Sequence, residues 1–397
     1  MVTYIWQREE WPSFRWDGNR LLLPLARARH RQGLLLGKMS DIGFAAQRDA
    51  ELVALSEEVV KTSAIEGEML NPASVRSSVA RRLGLPEAGP MPVDRQVEGV
   101  VSVVMDASRN HACPLTEERL HGWHAALFPT GRSGGERIDV ARWRTDRLGA
   151  MQVVSNPFSP RPTIHYEAPP ARRVASEMAV FLRWFNAGRE IDPLLRAGLA
   201  HLWFVTIHPM DDGNGRIARA VADLAMAQAE GTGQRFYSLS AAIERDRTRY
   251  YDALEAPQKG DLDITDWLVW FAECYERAIL AAEAMTERVV NAARFWKTHA
   301  AHPFNGRQRQ VLGMLLGGFD GPITAKRWTG LCGCSPDTAQ RDMSALVGLG
   351  LLARNPGGGR STSYRFTWPP ASTPAIVPED PPPEPKDGGP SIASSPV

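Results

Sequence analysis

The sequence predicts a mainly α-helical protein with one β-hairpin in its core and a smaller second unit behind it. Three observations carry this. Apolar residues recur at three- and four-residue steps through most of the first three hundred positions, as on amphipathic helices. The Pro/Ser/Asn-rich segment 142–170 breaks that rhythm. After Trp368 the chain passes into Pro, Ser, Asp and Gly, as in Pro381-Pro382-Pro383-Glu384-Pro385, a composition too poor in apolar surface to fold.

In chain order, a Trp-rich opening (Trp6, Trp11, Trp16) leads into a basic-apolar stretch, Leu21 to Met39, with helical spacing. Helix is expected from Ala46 to about Gly84, where Leu52, Leu55, Val59 and Val60 share a face, then over 94–111 and 116–127, the latter opening on a Thr116 cap. Within 142–170, Arg144-Thr145, Met151–Val154 and Thr163–Tyr166 are expected as short strands around a turn. Helices resume over 170–186, 193–207, 214–230, 240–256 and 266–298. From Asn305, helices over 307–316, 324–331 and 336–349 precede strands at 351–354 and 363–367, with Gly357-Gly358-Gly359 between them, the pattern of a winged helix-turn-helix. The implied divisions are 1–90 (an N-terminal helical domain), 91–299 (the core), 300–369 (the winged helix) and 370–397 (a disordered tail).

Across 397 residues the formal charge is +1, with 23% charged and 43% hydrophobic residues, a soluble globular balance that implies no polyanionic partner for the whole chain. The four cysteines form no paired framework, and Cys332-Gly333-Cys334 is too tight for a zinc knuckle. No apolar run is long enough to span a bilayer and the first residues lack a signal-peptide core, so the expected setting is cytoplasmic, without a membrane partner.

The informative stretch is His208-Pro209-Met210-Asp211-Asp212-Gly213-Asn214-Gly215-Arg216-Ile217-Ala218-Arg219. Two glycines at a helix start let backbone N–H groups approach an anion, and the helix dipole favours negative charge there. Arg216 and Arg219 lie one turn apart and can reach the same phosphates. Asp212 is placed to hold Mg²⁺ against phosphate oxygens, and His208 to take a proton from an incoming hydroxyl. A plain helix-breaking turn flanked by surface charges is the alternative, but it leaves the joint spacing of these residues unexplained.

This stretch resembles the Fic-family signature, His-Pro-Phe-x-Asp/Glu-Gly-Asn-Gly-Arg-x-x-Arg, with Met210 in place of the usual Phe. The resemblance implies a helical core with a hairpin flap, and transfer of AMP from ATP to a Ser, Thr or Tyr hydroxyl of a target protein. It makes His208 the base and Asp212 the metal ligand. Gly213, Asn214 and Gly215 would form the anion hole, Arg216 and Arg219 the phosphate clamp, and Ile217 and Ala218 would belong to the same nucleotide-binding block. Ile164-His165-Tyr166 is similar to the family's flap strand. Tyr250, Tyr251 and Gln258 are similar to its adenine-side pocket, one tyrosine facing the core and the other the nucleotide, although both also read as core aromatics. Thr62-Ser63-Ala64-Ile65-Glu66-Gly67 is similar to the family's inhibitory motif, in which Glu66 would form a bidentate pair with Arg219 and take the place of the γ-phosphate. A glutamate there could also orient water for the reverse reaction.

Residues 300–370 carry a formal +5, unlike the rest of the chain. Ser335, Thr338, Gln340 and Arg341 could face a DNA major groove and Arg360 a phosphate. The alternative is a docking or homodimerisation module. If the DNA reading held, the chain would be a transcription regulator with its Fic domain as a sensor.

Overall fold

A computed structural model describes residues 3–85, 94–147, 149–155, 163–187, 190–319, 321–356 and 362–368. The chain divides into two compact units, 1–290 and 291–397. In the first, the helices are α1 (Gly18–Asp41), α2 (Phe44–Ile65), α3 (Pro72–Arg82), α4 (Arg95–Arg109), α5 (Glu117–Leu127), α6 (Ala171–Ala187), α7 (Pro193–Ile207), α8 (Asn214–Glu230), α9 (Leu239–Arg245) and α10 (Arg247–Gln258). The long helix α11 (Thr265–Thr298) supplies its last turns to the second unit.

The core is organised by α7 and α8, which are buried on nearly every face and pack on each other. Leu199–Ile207 is apolar nearly all round, as a centrally placed helix must be, and Ile217–Ala227 is apolar except for the buried Arg219 and Asp223. Asp192 caps α7, accepting from the Leu194 and Leu195 amides with Pro193 at the first turn, and Gly231 at φ 64° ends α8. Amphipathic α4 lies against both α5 and α8, and Gly99 lets its backbone close on α5: a Cβ there would stand 1.9 Å from the Ala126 carbonyl oxygen.

Three expected elements are divided or trimmed. The stretch 46–84 is two helices, because Gly67 takes a left-handed φ of 84° and the Asn71 cap with Pro72 starts a new helix. The stretch 240–256 breaks at Asp246, between α9 and α10. Arg144 and Thr145 belong to no strand; Arg144 is committed elsewhere, as described below. The hairpin is β3 (Gln152–Ser155) with β4 (Thr163–Glu167), antiparallel, with Val153 opposite Tyr166 and a bulge after Val153. A small ladder precedes it, β1 (Arg132–Ser133) with β2 (Glu136–Arg137).

The Trp-rich opening packs onto this frame. Ile5 is fully buried, Trp6 donates to the Glu167 carbonyl at 2.8 Å, and Trp11 and Phe14 meet the Trp203 ring edge-on.

The second unit contains α12 (Gly306–Leu316), β5 (Ile323–Thr324), α13 (Ala325–Cys332), α14 (Pro336–Gly348), β6 (Leu352–Arg354) and β7 (Ser363–Phe366). Its sheet runs β5-β7-β6, and Val311, Leu312, Trp328, Met343 and Leu346 fill its core. Ser335 caps α14, accepting from the Thr338 amide. Gly357–Gly359, Arg360 and the 370–397 tail lie outside the described residues. All four cysteines are free thiols, and among the described residues no helix is long and apolar enough to cross a membrane.

Candidate active site

The site is the loop from α7 into α8. His208 follows the last turn of α7 in a left-handed conformation (φ 52°, ψ 58°), its amide still donating to Phe204 O at 3.0 Å. For a residue with a Cβ that conformation costs about 1 kcal/mol, a cost the surrounding contacts must offset. Those contacts come largely from Arg144, whose side chain is fully buried. Its Nε donates to His208 O at 2.7 Å, its amide to Pro209 O at 2.9 Å, and its Nη2 to Pro169 O.

The His208 Nδ1 lies 3.2 Å from Val205 O. A carbonyl only accepts, so Nδ1 carries the proton and Nε2 keeps its lone pair. Burial pushes the imidazole down to about 4, against the opposing effect of the Val205 bond, so the ring is neutral at pH 7.

Asn214 fastens the loop from inside: its Oδ1 accepts from the Met210 amide and its Nδ2 donates to Met210 O, both at 2.9 Å. Its side chain is thus a loop brace, and only its backbone is left to line an anion hole. Met210 itself is fully buried, filling the apolar gap its position requires. Gly213 must be glycine on two counts, since its φ is 78° and a Cβ would meet the Phe128 ring at 2.8 Å. Asp212 accepts from the Gly213 amide at 2.6 Å through Oδ1 and from the Ser133 hydroxyl through Oδ2. Among the described residues no group of three or more potential metal ligands occurs. A lone carboxylate beside an anion hole is nonetheless what Mg²⁺ uses with nucleotides, the other ligands being phosphate oxygens and water, so Asp212 fits such an ion.

Arg216 and Arg219 are both buried, their side chains 3% and 2% exposed. Each is held by the turn after α2. The Glu68 and Gly67 amides close that turn on Ser63 O and Ala64 O, both at 3.0 Å, a Schellman cap with Glu66 as C-cap and Gly67 as the left-handed residue. Arg219 donates from Nη2 to Glu66 Oε1 and to Thr62 O, and from Nε to Thr62 Oγ1, all at 2.8 Å. The expected bidentate Glu66–Arg219 pair is therefore a single bond: Thr62 takes Nε and shares Nη2, and Nη1 has no partner among the described residues. Burial works against the charge on Arg219, but Glu66, with Tyr250 and Tyr251 beside it, more than offsets this and raises its pKa. The Glu66 carboxylate presses on the glycine loop, where a Cβ on Gly215 would stand 2.3 Å from its Oε1. Arg216 donates to Glu68 Oε2 at 2.7 Å and lies over the Phe128 ring.

The remaining expected residues divide by burial. Ile217 and Ala218 point into the core with no exposed surface. Tyr166 is buried too, its hydroxyl donating to Thr206 O at 2.6 Å, and Gln258 is buried with Nε2 toward Thr206 Oγ1. Ile164 is exposed on the flap, while His165 bridges Glu255 Oε2 (2.7 Å) and Ser155 Oγ (2.8 Å). The adjacent tyrosines differ in burial, with their ring centroids 5.2 Å apart: Tyr250 is buried, its hydroxyl 2.9 Å from His201 Nε2, whereas Tyr251 is 39% exposed and donates to Ile65 O. Sequence reasoning missed Arg144, Ser133 and Glu68. Only Glu68 left a signal, a second acid two residues past Glu66.

Residues 114–226 match the model of the Fic/DOC family, and residues 4–85 match a domain of unknown function, DUF4172. The chain is 32% identical over 104 residues to the protein adenylyltransferase Fic of Culex quinquefasciatus, covering 26% of this chain and 19% of that protein. It is 34% identical over 91 residues to the protein adenylyltransferase fic-1 of Caenorhabditis elegans, covering 22% and 17%. The chain thus matches about a fifth of the length of these curated relatives. In fold it is similar to a Fic family protein from Desulfovibrio desulfuricans, with a TM-score of 0.51 at 18% identity over 89% of this chain and 97% of that one. The helical frame around α7 and α8, the loop that joins them and the family match over 114–226 agree: the chain carries a Fic domain.

Proposed function

We propose that the protein transfers AMP from ATP to a serine, threonine or tyrosine hydroxyl of a target protein, and that Glu66 restrains this activity. In this reading the amides at the start of α8, with Arg216 and Arg219, hold the triphosphate. Asp212 holds Mg²⁺, which when bound neutralises phosphate charge. His208 Nε2 accepts the proton of the attacking hydroxyl as its oxygen bonds to the α-phosphorus and the bond to pyrophosphate breaks. The names of the curated relatives support the activity, and glycine at 213 and 215 keeps side chains off the start of α8, where backbone amides can meet phosphate.

The observation that carries the reading is the neutral His208 imidazole, with Nδ1 tied to Val205 O and Nε2 unprotonated, on a loop that leads directly to two buried arginines. Restraint is supported by the Glu66 carboxylate lying against Gly215 and bonded to Arg219, where it competes with phosphate for the same donors.

The test is incubation of wild type, His208→Ala and Glu66→Gly with ATP, GTP, CTP and UTP, followed by intact-mass analysis. The expected result is an AMP adduct that grows with Glu66→Gly and vanishes when His208→Ala is added. No adduct from any nucleotide with Glu66→Gly would remove the proposal.

A further inference from the structure

Glu68 stands outside the six-residue stretch ending at Gly67, yet it does to Arg216 what Glu66 does to Arg219. Its Oε2 receives Arg216 Nη1 at 2.7 Å and Gln96 Nε2 at 3.2 Å. Both carboxylates are 30% exposed, and both arginines are almost wholly buried. The Schellman turn presets the pair, because the amide of Glu68 is fastened to Ser63 O and Gly67 supplies the left-handed residue between the two acids. Neither guanidinium is saturated: Arg216 Nε and Arg219 Nη1 are buried without an acceptor among the described residues. Each carboxylate gives its arginine one oxygen, whereas a phosphate chain can offer more acceptors to the same fork.

We infer that Glu66, Gly67 and Glu68 form a two-pronged plug, in which Glu68 is a second restraining carboxylate that holds Arg216 while Glu66 holds Arg219. The inference rests on the proposed reading of the α8 start as a triphosphate site and assigns part of that site's regulation. Removing Glu66 alone leaves Arg216 neutralised, so such a variant is only partly released. A purely architectural Glu68, tying the turn to α4 through Gln96 and to α8, has the opposite consequence: its loss would weaken the site.

The experiment is a calorimetric titration of the full chain with Mg²⁺ and α,β-methylene ATP, which cannot be cleaved at the α-phosphate. The proteins are wild type, Glu66→Gly, Glu68→Gln and the double variant. Glu68→Gln keeps the side chain's size and its acceptor for Gln96 while removing the charge. Glu68→Asp, which keeps the charge on a shorter arm, is the second probe if the first melts early. In the Glu66→Gly background either change is expected to tighten binding about fivefold to tenfold, the scale of a coupling between competing states. If Glu66→Gly binds more tightly than wild type but Glu68 changes leave that affinity unchanged or weaken it, the second prong is overturned and the triphosphate site stands. If Glu66→Gly binds no nucleotide, the underlying reading falls with it.

Discussion

Glu66→Gly has a consequence for stability that is separate from activity and opposite in sign. In the resting protein Arg219 is a fully buried cation whose only charged hydrogen-bond partner among the described residues is Glu66. Two neutral acceptors remain after the change, Thr62 O and Thr62 Oγ1, so the guanidinium is stranded but not bare. Breaking a wholly buried ion pair costs about 3–5 kcal/mol, but Glu66 keeps 30% of its side chain in solvent, which moves the cost toward the roughly 1.5–3 kcal/mol of a hydrogen bond to a charged group. For a unit of this size each kcal/mol is worth about 2–4 °C. The variant should therefore melt roughly 3–12 °C below wild type without nucleotide. With millimolar Mg²⁺ and ATP the order should narrow or reverse, because a ligand that binds only the native state stabilises by mass action and the variant has the vacant arginine. Thermal denaturation followed by intrinsic fluorescence reads both quantities, the Trp residues lying throughout the first unit. A variant as stable as wild type would show that the Glu66–Arg219 bond is energetically idle. One destabilised but indifferent to ATP would show that the bond is architectural only.

Two further outcomes follow from the packing and the buried imidazoles. Gly99→Ala places a Cβ 1.9 Å from the Ala126 carbonyl oxygen, a backbone atom that cannot swing aside, so α4 and α5 must separate. A loss of about 3 kcal/mol or more in urea denaturation is expected, at or beyond the usual range for overpacking, and a loss under about 1 kcal/mol would show that the helix pair gives way easily. His201 is fully buried and burial lowers its pKa to about 3, so the unfolded chain binds a proton that the native state refuses between pH 6.5 and about 3. Stability from this group is whole above pH 6.5 and is lost as pH falls, by roughly 1 kcal/mol per pH unit. The stability difference between wild type and His201→Gln should therefore shrink by that slope from pH 6.5 to 4.5, and a difference independent of pH would place a charged imidazole in the native protein.

The frame and the motif were legible in the sequence for different reasons. The helices around the site declare themselves by the recurrence of apolar residues at three- and four-residue steps. The His208–Arg219 block was legible because its chemistry is local: a loop, a helix start and two side chains one turn apart need no tertiary information. The errors are of two kinds, a local stop and start inside a continuous rhythm and an interaction that spans the chain. The 46–84 stretch has one continuous apolar rhythm, and only the left-handed Gly67 with the Asn71–Pro72 start divides it. Arg144 sits in a strand-like stretch, and nothing local says that its guanidinium will fasten the His208 carbonyl 64 residues away.

The arginine pairing shows the same limit most sharply. Glu66 and Arg219 are 153 residues apart, and their opposition could be expected by resemblance, but its geometry could not. Thr62 lies one helical turn before Glu66, so its hydroxyl and carbonyl reach Nε and Nη2 together, and the carboxylate bonds one N–H of Nη2 while Nη1 stays unpaired among the described residues. The unused Glu66 oxygen, the unsatisfied Arg219 Nη1 and the parallel arrangement at Glu68 and Arg216 make this contact a poor fit compared with phosphate. A contact that satisfies its donors completely would be hard to displace, whereas one that leaves a buried N–H unmet on each arginine is stable only until a better acceptor arrives. On the proposed reading, incomplete pairing on both arginines is the physical property that would let the turn restrain the site and still yield it.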